Sequence, residues 1–242
     1  MAVDPEAFDV PVVDYDFSKA TTPRLLIEQM AQAGGFTATK FAEARTILAD
    51  MKGEVDAVDA DASKVTNWLS FPACLCATGT RGFFVEALKR KMFNVVSTTC
   101  GTLDHDIARA YKHYYHGSFE LDDVELGQHE LMRLGNVIVP NASYGEIIEA
   151  VVLPVLEDIY NDRLAQTEKT GADAWLGFGS IHLVWELGER IGTPDSLIYW
   201  AAKHRIPVCI PGITAGPLAL NFSCSGKNTV IFTLTPWLMS KS

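Results

Sequence analysis

The chain has 242 residues, 48% of them hydrophobic and 21% charged, so it is long enough to bury a core and too apolar to be disordered. Its net charge of −10 argues against a nucleic-acid partner, which would require clusters of Lys and Arg. No apolar run approaches the ~20 residues that span a bilayer, and the acidic N-terminus is unlike a signal peptide. We therefore expect a globular, cytoplasmic protein without a membrane segment.

The first part of the chain predicts an N-terminal arm followed by two helices. Residues 1–20 show no helical or strand periodicity. Thr22 and Pro23 then provide a cap and a first-turn residue for a helix that ends at Gly34. A second helix is predicted over residues 37–51.

Two strand–turn–helix units follow the helices. The apolar run 68–76 predicts a buried strand, and a turn of small residues leads from it into a helix that ends near Lys91. A strand over 93–98 comes next, and the nine residues 98–106, TTCGTLDHD, lead into another helix. Because such alternation is typical of a parallel sheet with crossover helices, we predict an α/β, Rossmann-like fold.

The second half of the chain contains further strand and helix signals. The apolar run 136–139 predicts a strand, and Ser143 with Glu146 matches the capping box at the start of a long helix. Residues 193–195 repeat this cap chemistry before a shorter helix, and 206–210 predicts a last strand.

The segment 98–106 places an acidic pair where a strand turns into a helix. A helix N-terminus favours phosphate or carboxylate groups, and ligands of open α/β sheets collect at the carboxyl ends of strands. We expect Asp104, His105 and Asp106 to meet a ligand there, with Gly101 allowing close backbone approach. His105 could titrate near neutrality and act as a base. An ordinary capped helix start accounts for the same residues equally well.

The cysteine and histidine patterns favour neither a disulfide framework nor a metal site. The five cysteines form no CxxC pair. Cys100 lies beside two carboxylates, which would raise the pKa of its thiol, so packing is a better explanation than nucleophilic catalysis. His113 and His116 are three residues apart on a predicted helix, but no third ligand lies nearby in the sequence.

Three segments together resemble the deoxyhypusine synthases, the archaeal type in particular. These segments are TTCGTLDHDIARAYKHYYHGSFELDD (98–123), RLGNVIVPNASYG (133–145) and GTPDSLIYWAAKHRIPVCIPGIT (192–214). The resemblance covers about residues 14–214. It implies an NAD-dependent transferase that moves the butylamine unit of spermidine to one lysine of the translation initiation factor 5A precursor, by way of an enzyme-lysine imine. It further implies homotetramers with sites at dimer interfaces.

The same resemblance assigns roles to individual residues. The residues expected to contact NAD are Thr99, Cys100, Gly101, Cys74, Ala77 and His105. Asp104 and His105 are expected at the polyamine, and a carboxylate suits this task because spermidine is a polycation at neutral pH. Around Cys74 and Ala77 the chain departs from the eukaryotic pattern TSN-x-x-SSG, and His105 stands where eukaryotic members have an acid.

The resemblance ends at Thr214. Family members continue with T-D-G-A-L-G and, further on, with the lysine that forms the imine, whereas Lys227 and Lys241 lie in no recognisable lysine motif. Loss of one nucleotide would explain this. The codons ACC GAC GGG GCC CTT GGC are one way to encode T-D-G-A-L-G, and without the A of GAC they encode T-A-G-P-L-A, which are residues 214–219 of this chain. We therefore expect a frameshift, no catalytic lysine, and no activity of this chain alone.

The predicted organisation is an arm (1–20), an incomplete deoxyhypusine synthase-like NAD-binding α/β domain (21–214) that lacks the family's C-terminal third, and a non-family tail (215–242). Alternative functions remain open. A homospermidine synthase-like aminobutyl transferase would use putrescine instead of a protein as acceptor. A non-catalytic partner would co-purify with a full-length paralogue, and a generic dinucleotide-binding module would bind NAD without any effect of polyamines.

Overall fold

The computed structural model describes residues 10–55, 66–172 and 178–212. The chain divides into two compact units, Met1–Val65 and Thr66–Ser242. No helix within the described ranges is both long and apolar enough to cross a membrane. The predicted tail 215–242 lies outside the described residues.

Over its described residues, 10–55, the first unit contains two helices, α1 (Pro23–Ala33) and α2 (Ala38–Val55), which pack against each other. The start of α1 is as predicted, since the Thr22 hydroxyl accepts a hydrogen bond from the Leu25 amide at 3.2 Å. The preceding segment lies along α1, where the Asp16 amide donates to Gln29 Oε1 at 2.7 Å.

The second unit contains six strands and six α-helices within its described residues. The strands are β1 (Trp68–Phe71), β2 (Val95–Thr98), β3 (Tyr115–His116), β4 (Leu131–Leu134), β5 (Val137–Pro140) and β6 (Val208–Cys209). The helices are α3 (Arg81–Lys89), α4 (Gly101–Tyr111), α5 (Asp123–Gln128), α6 (Gly145–Thr170), α7 (Ser180–Ile191) and α8 (Leu197–His204). Short 3-10 helices cover Ala73–Ala77 and Asn141–Ser143.

The strands β1, β2 and β6 form a parallel sheet in that order. Phe71 pairs with Thr98, and Ser97 pairs with Cys209, so the three carboxyl ends lie at one edge of the sheet. The predicted α/β fold with a parallel sheet is confirmed.

The strand β1 is shorter and more exposed than the predicted run 68–76. It ends at Phe71 because Pro72 has no amide hydrogen to donate to a sheet, and a 3-10 helix follows. One face is open to solvent, with Trp68 57% exposed. The prediction of one long buried strand is therefore wrong.

A second sheet is antiparallel with the order β3–β5–β4, and the sequence predicted only its strand β5, as the run 136–139. A two-residue turn joins β4 to β5, with Gly135 at a φ of 61°, a left-handed conformation that favours glycine. The helix α4 ends at Tyr111, and His116 lies in β3. The prediction that His113 and His116 share a helix is therefore wrong.

Two predicted helix caps are replaced by other arrangements. Ser143 ends a 3-10 helix instead of capping α6, and the Glu146 carboxylate accepts a hydrogen bond from Asn141. Residues 193–195 do not cap α8, which begins later, at Leu197. The helix α7, which the sequence patterns did not indicate, lies between α6 and α8 along the chain.

The core lies between the parallel sheet and the helices α3, α4, α6, α7 and α8. Its fully buried members include Leu88, Val96, Ile107, Val152, Leu187 and Ile198. Helices α7 and α8 pack closely at Gly188, where an added Cβ would lie 2.8 Å from the carbonyl carbon of Ile198 and 2.9 Å from Ala202 Cβ. Only glycine permits this packing.

Candidate functional site

A cavity of about 560 Å³ opens at the carboxyl ends of β1, β2 and β6. We call it the strand-end cavity, and it is lined by residues 70–72, 97–101 and 211–212. The parallel register places all three strand ends here, together with the start of α4. This is the position at which open α/β sheets bind ligands.

The two threonines at the end of β2 have different roles. The buried Thr98 hydroxyl donates to the Phe71 carbonyl at 2.7 Å and lies 2.6 Å from the Thr102 hydroxyl, so it joins β1, β2 and α4. The Thr99 hydroxyl accepts a hydrogen bond from the Ala73 amide at 3.1 Å and fixes the start of the 3-10 helix. Both hydroxyls therefore shape the floor of the strand-end cavity.

The start of α4 is closely packed. An added Cβ at Gly101 would lie 3.1 Å from Ala73 Cβ, so a glycine lets the 3-10 helix approach the helix start. The amides of Thr102 and Leu103 donate within the first turn, to the carbonyls of Thr99 and Cys100. The structure thus places the predicted residues Thr99, Cys100 and Gly101 at the cavity, although some helix-start donors are already used.

Asp104 and His105 lie behind the helix start and do not line this cavity. The Tyr144 hydroxyl donates to Asp104 Oδ2 at 3.4 Å, and His105 Nδ1 lies 3.0 Å from the Tyr114 hydroxyl. Burial, with a smaller contribution from Arg109, lowers the pKa of His105 to about 4. His105 is therefore neutral at pH 7, and the prediction that it titrates near neutrality is wrong.

Asp106 is enclosed in the core and not available to a ligand. Its side-chain oxygens accept hydrogen bonds from Arg81 Nε at 2.7 Å and from the Ser196 hydroxyl at 2.6 Å. They also accept from the amides of Leu197 and Ile198 at 3.0 and 3.1 Å. Asp106 therefore caps α8 from a distant helix, and the prediction that it meets a ligand is wrong because protein donors occupy both oxygens.

The other two predicted cofactor residues lie on the 3-10 helix. Cys74 is exposed and Ala77 is buried, and neither lines the strand-end cavity. Ala77 lines a second cavity, described below. Cys76 lies between these two residues in the chain. Burial and the charge of Asp106 raise the pKa of its thiol to about 12, so this cysteine is unreactive at neutral pH.

The model of the family described as deoxyhypusine synthase matches residues 25–233. This chain belongs to the deoxyhypusine synthase family. It is 43% identical, over 211 residues, to the probable deoxyhypusine synthases of Picrophilus torridus and Thermoplasma acidophilum. These matches cover 87% of this chain and 61% of each relative, so the chain spans about three fifths of their length. The predicted resemblance to archaeal members is confirmed.

A solved structure from Entamoeba histolytica, described as a candidate deoxyhypusine synthase, has the same fold. The match has a TM-score of 0.60 at 19% identity and covers 92% of this chain and 69% of that chain. The family match extends past Thr214, where the quoted motifs end. The expected frameshift stays a prediction, and 213–242 lie outside the described residues.

The sequence patterns missed two tyrosines that contact the predicted residues Asp104 and His105. Tyr114 is half-buried against His105. Tyr144 contacts both the Asp104 carboxylate, through its hydroxyl, and the His105 ring, through its own ring. The segment SYG within 133–145 was the available signal, but only the folded chain shows that its tyrosine faces α4.

Proposed function

We propose that this chain supplies the NAD-binding part of a deoxyhypusine synthase, which transfers the butylamine unit of spermidine to one lysine of the translation initiation factor 5A precursor. The observation that carries the proposal is the strand-end cavity. It combines three parallel strand ends with the start of α4 in a chain that belongs to this family.

The residues at the strand-end cavity fit a dinucleotide. A volume of about 560 Å³ falls within the range typical of ligand sites, about 300–1,000 Å³. We propose that Thr99, Cys100 and Gly101 contact the cofactor, where the start of α4 supplies positive backbone potential. NAD, when bound, would take up the hydride that the reaction removes from spermidine.

We propose that Asp104 and His105 serve the polyamine and, for His105, the cofactor as well. The Asp104 carboxylate complements an ammonium group. Because burial keeps His105 neutral, its ring adds no positive charge that would repel a polycation. Tyr114 and Tyr144 hold these two side chains in place.

We further propose that the 242-residue chain binds NAD but does not complete the transfer, since Lys227 and Lys241 lie in no family lysine motif. A cytoplasmic homotetramer is part of the same proposal. Light scattering of the purified chain would measure its oligomeric state.

A calorimetric titration of the purified chain with NAD tests the strand-end cavity. Ser70 is exposed on β1 and lines the cavity, so Ser70→Phe fills space that a ligand needs, while Ser70→Ala is the matched control. We expect one NAD per chain, an affinity at least about tenfold lower for Ser70→Phe, and a change within about twofold for Ser70→Ala. Circular dichroism checks the fold of both variants.

Absence of NAD binding, or equal binding by Ser70→Phe, would contradict the proposed cofactor site. A second assay follows labelled spermidine into the factor 5A precursor or into putrescine. Robust transfer to the protein by this chain alone would contradict the proposed inactivity. Transfer to putrescine instead would favour the homospermidine synthase-like alternative.

A further inference from the structure

The second cavity, which we call the hairpin cavity, is separate from the strand-end cavity. Its volume is about 280 Å³, and the two cavities share no lining residue. The hairpin cavity is lined by residues 77–79, Arg109, 114–116 and 136–137. These residues include hydrogen-bond donors and one guanidinium but no carboxylate, so the lining favours an anion.

Arg109 differs from every other arginine of the described residues. Each of the others forms an ion pair with a carboxylate: Arg24, Arg45, Arg81, Arg90, Arg133, Arg163, Arg190 and Arg205. Arg109 is partly buried, and no carboxylate of the described residues lies within ion-pair distance of it. Its charge is thus uncompensated by direct contact.

The guanidinium of Arg109 is held in place by neutral groups. Its Nη1 donates to the carbonyl of Cys76 at 2.8 Å and to the carbonyl of Thr78, and its central carbon lies 5.7 Å from the ring centre of Tyr114. No hydrogen bond within the described residues uses Nε or Nη2, which leaves one edge of the guanidinium for a ligand.

The surroundings of Arg109 destabilise its positive charge. Burial, followed by the charge of Arg81, lowers the pKa of the Arg109 guanidinium. A bound anion would offset that cost, and a planar guanidinium matches the two oxygens of a carboxylate or phosphate.

We propose that the hairpin cavity binds an oxyanion group, a phosphate or a carboxylate, through Arg109. Asn136, at the exposed β4–β5 turn, and His116, on β3, stand at the same cavity and can add hydrogen bonds. The small volume suits a single anionic group. Such a group could be a free phosphate or the side-chain carboxylate of a bound polypeptide.

The test uses the full 242-residue chain titrated with inorganic phosphate and, separately, with acetate. The readouts are calorimetry and the amide chemical shifts of Gly79 and Asn136, which line the cavity. Asn136→Asp adds a negative charge at an exposed position and leaves the Arg109 hydrogen bonds intact, while Asn136→Ala removes only the amide. Arg90→Gln, at the exposed residue that follows α3, controls for loss of a surface arginine.

We expect saturable binding of at least one anion, weakened about tenfold or more by Asn136→Asp and by Arg109→Gln. Arg109→Lys, which keeps the charge but not the fork, should weaken it less than Arg109→Gln does. Asn136→Ala should change it about threefold or less, and Arg90→Gln should leave it unchanged. Tighter binding of phosphate would identify a free phosphate as the ligand source, and tighter binding of acetate a polypeptide carboxylate.

The proposal fails if neither anion shifts these amides saturably. It also fails if Asn136→Asp binds as the unaltered chain does, a result that does not depend on whether the Arg109 variants fold.

Discussion

The segment 99–106, which runs from the end of β2 into α4, lines a cavity at its start and is buried in the core at its end. Residues 99–101 line the strand-end cavity, whereas Asp106, on the same helix, is fully buried among protein donors. Sequence reasoning treated both as parts of one ligand site. An acidic side chain near a helix start can therefore cap another helix instead of binding a ligand.

The buried Asp106 positions the cavity that residues 99–101 line. Asp106 joins α4 to Arg81 on α3 and to the start of α8, and α8 leads into β6. The residues after β6, 211–212, form one wall of the strand-end cavity. Asp106 is therefore a positioning residue for the cavity, while residues 99–101 supply its surface.

Removing Asp106 should have the largest effect on stability. Asp106→Ala leaves the Arg81 guanidinium buried without a counterion and removes two helix-capping acceptors, so we expect a loss of about 3–5 kcal/mol. Urea denaturation measures it. Asp123→Ala, which breaks the more exposed pair with Arg133, should lower the free energy of unfolding far less than Asp106→Ala does.

The outcome that contradicts this interpretation is a loss of less than about 1 kcal/mol for Asp106→Ala. The double variant Arg81→Met with Asp106→Leu should recover part of the stability, because it removes both charges together.

A methyl group at Gly188 should have the next largest effect. Gly188→Ala places a Cβ against the carbonyl of Ile198 and forces α7 away from α8, with an expected loss of about 3 kcal/mol. Gly82 on α3 is the matched control, since an added Cβ meets nothing within 4 Å. Gly82→Ala should raise the free energy of unfolding by up to about 1 kcal/mol. Equal thermal stability of the two variants would contradict the close packing of α7 and α8.

The parallel sheet and the start of α4 were predictable because their signals are local. The apolar runs before Pro72 and before Thr99 each lead into a helix, and alternation of this kind indicates a parallel sheet without knowledge of contacts. The antiparallel sheet had such a signal only at β5, the run 136–139. Its strand β3 has two residues, and β4 alternates between half-buried and exposed positions.

The features that sequence reasoning missed depend on residues far apart in the chain. The cap of α8 comes from Asp106, about 90 residues earlier, whereas the local pattern at 193–195 indicated a cap of its own. The neutral state of His105 likewise depends on burial beside Tyr114 and Tyr144, which no spacing encodes. The motifs identified the family but not which of their residues reach the cavity.

His105 lies between residues 99–101 and Asp106 in the chain, and its titration gives the smallest of the predicted changes in stability. Burial lowers the pKa of His105 from 6.5 to about 4, so between these values the unfolded chain binds a proton that the folded chain does not. The stability that the neutral His105 contributes to the folded state is therefore fully present above about pH 6.5 and is lost as the pH falls towards 4. We expect a loss of about 2 kcal/mol at pH 5. His105→Asn, whose amide can still face the Tyr114 hydroxyl, should show an unfolding free energy that falls by about 2 kcal/mol less between pH 7 and pH 5. If the free energies of unfolding of the two proteins changed with pH in parallel, His105 would take up its proton in the folded state as easily as in the unfolded one. Its ring would then be solvated and not buried.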